Sequence, residues 1–288
     1  MTQPVQSPFR VSFDGALSLA HCHTTPPPDA PGSKALKREL AAHVDSLEDL
    51  QRRLYAEGTR SLLCIFQAMD AAGKDSTIRA VFTGVNPAGC HVTSFKRPSS
   101  EELAHDFLWR THRALPARGH IGVHNRSHYE EVLVVRVHPE LLRHQGLALP
   151  DDAQGFWDQR LASIREHERH VAANGTTVLK FFLHVSLDEQ RRRFLDRLDT
   201  PRKRWKFNPG DLDERALWPD YQAAYQHALA ATSRPWAPWF VIPADHKPFM
   251  RCAVADIIRR TLVAMDPRYP SLDPQDTARL GEWRAALA

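Results

Sequence analysis

A lysine that directly follows a glycine is the residue in this sequence best placed to bind phosphate. Lys74 comes after a small-residue loop, 68–73, which follows the apolar run 62–66, and it opens a helical pattern that continues through Ile78. A strand, a tight loop and a helix N-terminus direct backbone N–H groups and the positive end of the helix dipole at an anion. The stretch predicts a phosphate-binding loop, with an ordinary strand–turn–helix and a surface lysine as the alternative.

The loop departs from the regular Walker A pattern, G-x-x-x-x-G-K-[ST]. Ala68 stands at the first glycine and Asp75 at the hydroxyl position, while hydroxyls come later, at Ser76 and Thr77. Asp70 and Asp75 would repel a phosphate group at contact distance, at a cost of kilocalories where water is partly excluded. A metal ion between carboxylate and phosphate removes that repulsion. Mg²⁺, held by one or two carboxylates and by substrate phosphates, is the natural candidate.

Phosphoryl transfer requires in-line positioning and positive charge where the transferred group gathers negative charge. Lys74, a metal on Asp70 and arginines from a mobile lid would meet that requirement. The loop adds its amides and short side chains, at Ala71, Ala72, Gly73, Lys74, Asp75 and Ser76. Ligands of open α/β sheets bind beyond the carboxyl ends of the strands, so polar residues that follow the next two strands belong at the same crevice. These are Lys96, Arg97, Asn125, Arg126 and Glu130.

Each of these charged groups also has a simpler interpretation. Arg126 could form a surface ion pair, and Glu130 competes with Glu131 for any metal role or is merely solvated. Residues 191–207, here called the basic segment, hold eight Lys or Arg against two Asp, a local charge of +6. They could be a solvated helix face, but Trp205 and three neighbouring loop breakers favour a mobile lid. A concentrated basic patch on a near-neutral body favours a polyanionic ligand.

The elements that must position these residues alternate along the chain. Predicted strands cover 62–66, 91–95, 120–124, 177–185 and 239–242. Predicted helices cover 33–57, a stretch from 74, 99–115, 154–173, a stretch after Ser186, 219–231 and 250–265; residues 132–137 are ambiguous between strand and buried helix. This alternation predicts an α/β fold, a parallel sheet with helices on both faces. Residues 1–32 form an N-terminal arm, poorly structured or draped over the body, before one domain at 33–265, a lid at about 191–218 and a C-terminal tail at 266–288.

Bulk composition is that of a soluble globular protein. The chain has 288 residues, 42% hydrophobic and 25% charged, with a formal net charge of +4. Four well-separated cysteines without a C-x-x-C pattern argue against a disulfide framework or a zinc site. Because the N-terminus lacks a signal pattern and no apolar run has membrane-spanning length, we expect a cytoplasmic protein without a membrane partner.

Four stretches of the sequence together resemble the polyphosphate kinase 2 family. They are MDAAGKDSTI at 69–78, VNPAGCHVTSFKRPSSEELAHDFLWR at 85–110, NRSHYEEVLVVRVHPE at 125–140 and RLDTPRKRWKFNPGDLDE at 197–214. The resemblance runs from about residue 36 to 265. It implies a P-loop kinase fold of the thymidylate-kinase type with a sheet of about five strands. It also implies reversible, Mg²⁺-dependent phosphoryl transfer between inorganic polyphosphate and AMP, ADP or ATP, with guanine nucleotides as further candidates and a homo-oligomeric enzyme.

The resemblance also implies roles for individual residues. Polyphosphate would lie over Asp70, Lys74 and Arg126, and a basic lid would close from above. The lid contacts would fall on Lys203, Arg204 and Lys206, with Arg204 acting in catalysis.

Two departures from the family pattern matter. Ala68 stands where the family more often has glycine, and Asn125 stands where many members have the aspartate of D-R-S. The N-R-S-x-Y-E form is similar to the class III branch, whose members phosphorylate both AMP and ADP. With Asn125 neutral, metal binding would rest on Asp70, with Glu130 as the nearest spare carboxylate.

Two other functions remain as alternatives. One is an ATP-dependent nucleoside or nucleotide kinase of the same fold. The charge of the basic segment favours polyphosphate over it, because a long polyanion needs a track of cations. The other is a protein that binds polyanions or nucleic acid without catalysis. That alternative leaves Asp70 and Asp75 unexplained, since acids in an anion site need a metal, so we expect no nucleic-acid partner.

Overall fold

Five parallel strands form the centre of the molecule. The computed structural model describes residues 2–288, and in them the strand order is β2-β3-β1-β4-β5 with every pair parallel. The strands are β1 Ser61–Gln67, β2 Cys90–Ser94, β3 Ile121–Asn125, β4 Thr176–His184 and β5 Trp239–Pro243. The central strand β1 is buried along its whole length, as expected of a strand covered on both faces. The predicted five-stranded parallel sheet is confirmed.

Helices cover the sheet in two groups. Helix α10 packs against both α1 and α2, and α5, α6 and α9 form the second group, with α6 against β4. The helices are α1 Ser33–Glu57, α2 Lys74–Val81, α3 Ser100–Leu103, α4 Trp109–His112, α5 Val134–Val137, α6 Ala153–Ala173, α7 Leu187–Asp199, α8 Gly210–Ala216, α9 Trp218–Thr232, α10 Lys247–Met265 and α11 Pro274–Leu287. Within residues 2–288, no helix is both long enough and apolar enough to cross a membrane.

Local sequence signals set most of these boundaries. Helix α1 buries Leu36, Leu47, Leu50 and Leu54, the stripe that its three- and four-residue spacing predicts. Gly58 ends it in the left-handed conformation, with φ of 63°, which glycine adopts without a Cβ clash. In the ambiguous stretch 132–137, residues Val134–Val137 form the short helix α5, and Val132 ends the 3-10 helix that precedes it.

The predicted helix at 99–115 is wrong over most of its length. Its capping box does form, with Ser99 accepting from the N–H of Glu102, but the helix ends at Leu103. Oδ1 of Asp106 then accepts from the N–H of Leu108 at 2.9 Å. Such a local bond from an aspartate competes with the helical hydrogen-bond pattern, so the chain turns and restarts as α4.

The N-terminal arm is draped over the body, as one of the two predictions for it stated. Its backbone pairs antiparallel with β5: the N–H of Val11 donates to O of Trp239 at 2.9 Å, and the N–H of Val241 donates to O of Phe9 at 2.8 Å. Val11 and Leu19 are buried in the main core. The arm therefore covers the free edge of β5 and belongs to the folded structure.

Candidate active site

The loop between β1 and α2 has the backbone conformation of an anion-binding turn. Gly73 has φ of 107° and Ala71 has φ of 61°, so both residues are left-handed. The carbonyl oxygen of Gly73 accepts from the N–H and hydroxyl of Thr77 and from the hydroxyl of Ser76, each at 3.0 Å. The two hydroxyl side chains therefore stabilise the turn into α2, and the start of this helix points at the loop.

Lys74 lies over the same loop. Its Nζ donates to the carbonyl oxygen of Ala68 at 2.8 Å, which closes the loop across its base. Burial and, after it, the nearby charge of Arg126 lower the pKa of Lys74, while Asp70 and Glu130 oppose both effects, and the net result is a pKa of about 8. An incoming phosphate would favour the charged form in the same way as these carboxylates do.

Arg126 joins two acids from different parts of the chain. Its Nη2 donates to Oδ1 of Asp70 at 2.7 Å, and its Nη1 donates to Oε2 of Glu130 at 3.0 Å. The negative charge of Glu130 raises the pKa of Arg126, burial lowers it, and Asp70 raises it again. The net effect is a raised pKa, so the guanidinium stays charged. Burial opposes ionisation of Asp70, but Lys74 and Arg126 outweigh it and hold its pKa below the usual value. Arg126 itself is left-handed, with φ of 65°, an unfavourable conformation that is typical of functional sites.

Asn125 binds the second acid of the phosphate loop. Its Nδ2 donates to Oδ1 of Asp75 at 2.6 Å and lies 3.5 Å from the hydroxyl of Ser94. An aspartate at position 125 would place two carboxylates in contact at this point. The amide therefore satisfies Asp75 without a cation, which explains why the first turn of α2 can carry an acid beside the phosphate loop.

The site offers oxygen ligands that fit a hard divalent cation. Asp70 and Glu130 each bind Arg126 through one carboxylate oxygen, and the structure of residues 2–288 gives the second oxygen of each no hydrogen-bond partner. Carboxylate oxygens are the ligands that Mg²⁺ takes, alongside water and substrate phosphates. Glu131 is buried elsewhere, where it binds Arg160 at 3.2 Å and Gln145. Glu130 is therefore the glutamate that faces the site.

A cavity of about 180 Å³ opens beside these charged groups. Two tyrosines of α9 line it at a spacing of four residues, Tyr221 and Tyr225, and the hydroxyl of Tyr221 donates to Oε2 of Glu214 at 2.5 Å. The remaining wall includes residues to which the sequence analysis assigned no individual role: Leu133, Val134, Gln190, Asp211, Glu214 and Arg215. The helical spacing of the tyrosines was visible in the sequence, but an aromatic pair on a helix is more often a core contact.

Other predicted site residues lie apart from the phosphate loop in this structure. Lys96 and Arg97 are exposed and line a separate surface depression with Trp109 and Arg113. Their role in binding stays a prediction.

The lid cations that the family resemblance implied contact the basic segment itself. Lys203 Nζ lies 2.6 Å from Oδ2 of Asp196, Arg204 Nε donates to O of Leu198 at 2.8 Å, and Lys206 lies 5.0 Å from the ring centroid of Trp205. Their contact with polyphosphate stays a prediction.

The sequence interpretation missed Arg197 as a site residue. Its Nη1 lies 3.5 Å from Oδ2 of Asp211, a residue that lines the cavity. Its charge also helps to hold the pKa of Asp70 below the usual value. Its position in a run of cations gave no signal that distinguished it from its neighbours.

Comparison with known proteins identifies the family. The family model described as Polyphosphate kinase 2 (PPK2) matches residues 32–270. The ADP-polyphosphate phosphotransferase of Rhodopseudomonas palustris is 47% identical over 280 residues, 97% of each chain. The AMP/ADP-polyphosphate phosphotransferase of Meiothermus ruber is 47% identical over 263 residues, 91% of this chain and 94% of that one. The crystal structure of polyphosphate kinase 2 from Arthrobacter aurescens superposes with a TM-score of 0.87 at 38% identity, covering 97% of this chain and 94% of the other. The chain therefore belongs to the polyphosphate kinase 2 family.

Proposed function

We propose that this chain transfers the terminal phosphoryl group of inorganic polyphosphate to AMP and ADP, reversibly and with Mg²⁺. The observation that carries the proposal is the contact of Arg126 with both Asp70 and Glu130 at the phosphate loop, in a chain that belongs to this family throughout 32–270. The named relatives act on polyphosphate with ADP, or with AMP and ADP.

The polyphosphate donor would bind across the phosphate loop. Lys74 and Arg126 supply two cations there, and α2 contributes the positive end of its dipole. The acceptor would enter the cavity lined by Tyr221 and Tyr225, whose rings suit a nucleoside, while its phosphate meets the charged end beside Asp70. A Mg²⁺ ion, which Asp70 and Glu130 would hold, would neutralise phosphate charge.

The acceptor range rests on Asn125. An aspartate there would add a fixed negative charge beside Asp75, whereas the amide donates a hydrogen bond to it. With one fewer negative charge, the site can accept a negatively charged acceptor at more than one depth in the cavity. Both AMP and ADP can therefore present a terminal phosphate to the donor. This is the reason to expect both acceptors.

Residues 191–218 would act as the lid of a kinase domain at 33–265. We further propose that the protein is a cytoplasmic homo-oligomer. Size-exclusion chromatography with light scattering tests the oligomeric state, and cell fractionation tests the location.

The test of the proposed function needs no ATP. The purified protein is incubated with Mg²⁺, long-chain polyphosphate and AMP, ADP or a guanine nucleotide, and the nucleotide products are separated. We expect ADP and ATP from AMP and ATP from ADP, with no product after chelation of Mg²⁺ or without polyphosphate. Phosphorylation of a nucleoside or nucleotide with ATP as donor, and none with polyphosphate, would favour the alternative kinase. Polyphosphate binding without any product would favour the non-enzymatic alternative.

A further inference from the structure

Side chains of helix α7 support the phosphate loop by donating hydrogen bonds to the loop's backbone carbonyl groups. Nε2 of Gln190 donates to O of Asp70 at 3.0 Å. Nη1 of Arg193 donates to O of Ala71 at 3.1 Å and to O of Ala72 at 2.5 Å. Two side chains of α7 therefore hold three consecutive carbonyl groups of the loop.

These contacts also fix the direction of the loop's N–H groups. A trans peptide points its C=O and the following N–H to opposite sides, and residues 2–288 contain no cis peptide bond. Drawing the carbonyls of residues 70–72 toward α7 therefore turns the N–H groups of residues 71–73 away from it. The N–H of Ala72 donates to O of Met69 at 3.3 Å, whereas those of Ala71 and Gly73 have no partner within the described chain. Those two N–H groups are available to an anion.

Arg193 is built as an anchor, not as a ligand for substrate. It is 4% exposed, and its Nη2 donates to O of Ala244 at 2.6 Å, beyond the end of β5. Its Nε donates to Oε1 of Glu189 at 2.7 Å. Every nitrogen of the guanidinium is engaged inside the protein, so its charge acts on loop carbonyls and orders the left-handed residues Ala71 and Gly73.

Gln190 has a second contact, with the segment proposed as the lid. Its Oε1 accepts from Nη1 of Arg215 in α8 at 2.8 Å, and the same Nη1 donates to O of Leu187 at 2.8 Å. The amide of Gln190 thus lies between α8 and the carbonyl of Asp70.

We propose that Gln190 and Arg193 are positioning residues that orient the N–H groups of the phosphate loop, and that Gln190 connects the loop to α8 through Arg215. The inference deepens the proposed function and rests on it for the identity of the anion.

The first experiment compares two neighbouring arginines. Arg192 also binds Glu189, through Nη2 to Oε1 at 2.5 Å, but its side chain is 67% exposed and, within residues 2–288, it donates no hydrogen bond to the loop. We expect Arg193→Ala to raise the KM for polyphosphate at least about tenfold, equivalent to 1.4 kcal/mol, with a smaller change in the KM for ADP. Arg192→Ala removes one cation of the basic segment but no hydrogen bond to the loop, so it should raise the KM for polyphosphate less than Arg193→Ala does and leave the KM for ADP near wild type. Added guanidinium at millimolar concentration should restore activity to Arg193→Ala. Equal effects of the two substitutions, or no guanidinium rescue, would overturn the role of Arg193.

A variant that retains the charge guards against loss of folding. Circular dichroism and thermal unfolding would establish which variants are folded. If Arg193→Ala does not fold, Arg193→Lys is used in its place, because one ammonium group cannot reach the carbonyls of the loop and of Ala244 together. A folded Arg193→Lys with a wild-type KM for polyphosphate would also overturn the proposal.

The second experiment tests the connection to α8. We expect Gln190→Ala and Arg215→Ala each to lower kcat, and the double variant to be no worse than Gln190→Ala alone. Additive losses would overturn the connection.

Tripolyphosphate binding, measured by calorimetry, separates this inference from the proposed function. Weaker binding by Arg193→Ala than by Arg192→Ala would support positioning even if the wild-type protein produced no nucleotide. Equal binding by these variants, with an active wild-type enzyme, would retain the function and reject the inference.

Discussion

The charges around Arg126 balance before any ligand arrives. Lys74 and Arg126 contribute two positive charges, and Asp70 and Glu130 contribute two negative charges, so this cluster of four is neutral. A neutral cluster attracts a polyanion only through short-range contacts. A divalent cation on the free carboxylate oxygens would make the cluster positive, and this is the physical reason to expect that phosphate binding requires a metal.

At Lys74, activity and stability should respond to pH in opposite directions. Its pKa is lowered from 10.5 to about 8 by burial and by Arg126. We therefore expect kcat/KM for polyphosphate to fall as pH rises through about 8, because the neutral amine binds phosphate weakly. The unfolded chain binds more protons than the folded one between the two pKa values, so the contribution of Lys74 to stability rises across that window. Loss of activity above pH 8 without loss of the folded state would separate deprotonation from unfolding.

Two substitutions of Lys74 complete that test. Lys74→Ala should reduce kcat by two to three orders of magnitude, since a preorganised charge at a transition state contributes about 3–4 kcal/mol. Lys74→Arg keeps its charge at high pH, so its residual activity should show no alkaline decline near pH 8. A folded Lys74→Ala enzyme that retained more than about a tenth of wild-type kcat, a loss below 1.4 kcal/mol, would contradict the assignment of the loop.

Asp70 and Glu130 should differ in their effects on the two acceptors. Both bind Arg126, but Asp70 belongs to the phosphate loop and Glu130 follows β3. We expect Asp70→Ala to lose phosphorylation of AMP and ADP alike. Glu130→Ala should lose AMP phosphorylation more severely, because the shorter acceptor needs a metal or a water positioned by Glu130. Equal losses for Glu130→Ala, measured at saturating polyphosphate and Mg²⁺, would contradict the selectivity argument.

At the scale of elements, the sequence correctly predicted the strands and helices whose conformation depends on the local pattern of apolar side chains. The apolar run of β1 and the leucine spacing of α1 gave the correct elements, because burial of those side chains decides their conformation. The break at Asp106 was missed, since a single side-chain hydrogen bond outweighs a helical pattern there. In the sequence, Arg193 is only one cation of the basic segment, whose pattern favours a mobile lid over a solvated helix face, and Gln190 has no predicted role. Their contacts with the phosphate loop depend on how α7 packs, which spacing along the chain cannot give.

The basic segment should determine how polyphosphate binding depends on salt. If its cations track the polyanion, affinity falls steeply with salt through counterion release, as it does for nucleic acids. Replacing Lys203, Arg204 and Lys206 together by alanine should flatten that dependence and lower kcat, because lid closure completes the site. The matched control replaces three exposed cations of α1, namely Lys34, Lys37 and Arg38. The same salt slope in both triple variants and in wild type would show that the lid cations are only solvated.

At the scale of the whole molecule, the strand order creates the site. Strand β3 pairs directly with β1, with Phe66 opposite Asn125, so the next residue, Arg126, donates its N–H to O of Phe66 at 3.0 Å. A buried cluster of polar side chains supports the segment that follows Arg126. Nζ of Lys180 donates to Oε2 of Glu168 at 2.5 Å and to the hydroxyl of Tyr129 at 2.9 Å. Adjacent to Glu130, this fully buried tyrosine ties the cavity wall to the central sheet.

The N-terminal arm extends this support to the outer strand and should contribute to global stability. Leu19 is 3% exposed and packs in the main core, and O of Thr24 accepts from the N–H of Asp245 at 2.9 Å. Asp245 follows Ala244, the residue whose carbonyl anchors Arg193. We expect Leu19→Ala to lower the free energy of unfolding by about 2–5 kcal/mol, the usual cost of a leucine-sized cavity in a core.

Ser12→Ala, an exposed change in the same arm, is the control and should lie within about 0.5 kcal/mol of wild type. Urea unfolding followed by fluorescence measures both variants, and a lower midpoint at an unchanged m-value would show that the native state lost stability. A midpoint for Leu19→Ala equal to that of Ser12→Ala would mean that the arm only rests on the body. In that case β5 and the loop after it would hold Arg193 without help from the arm.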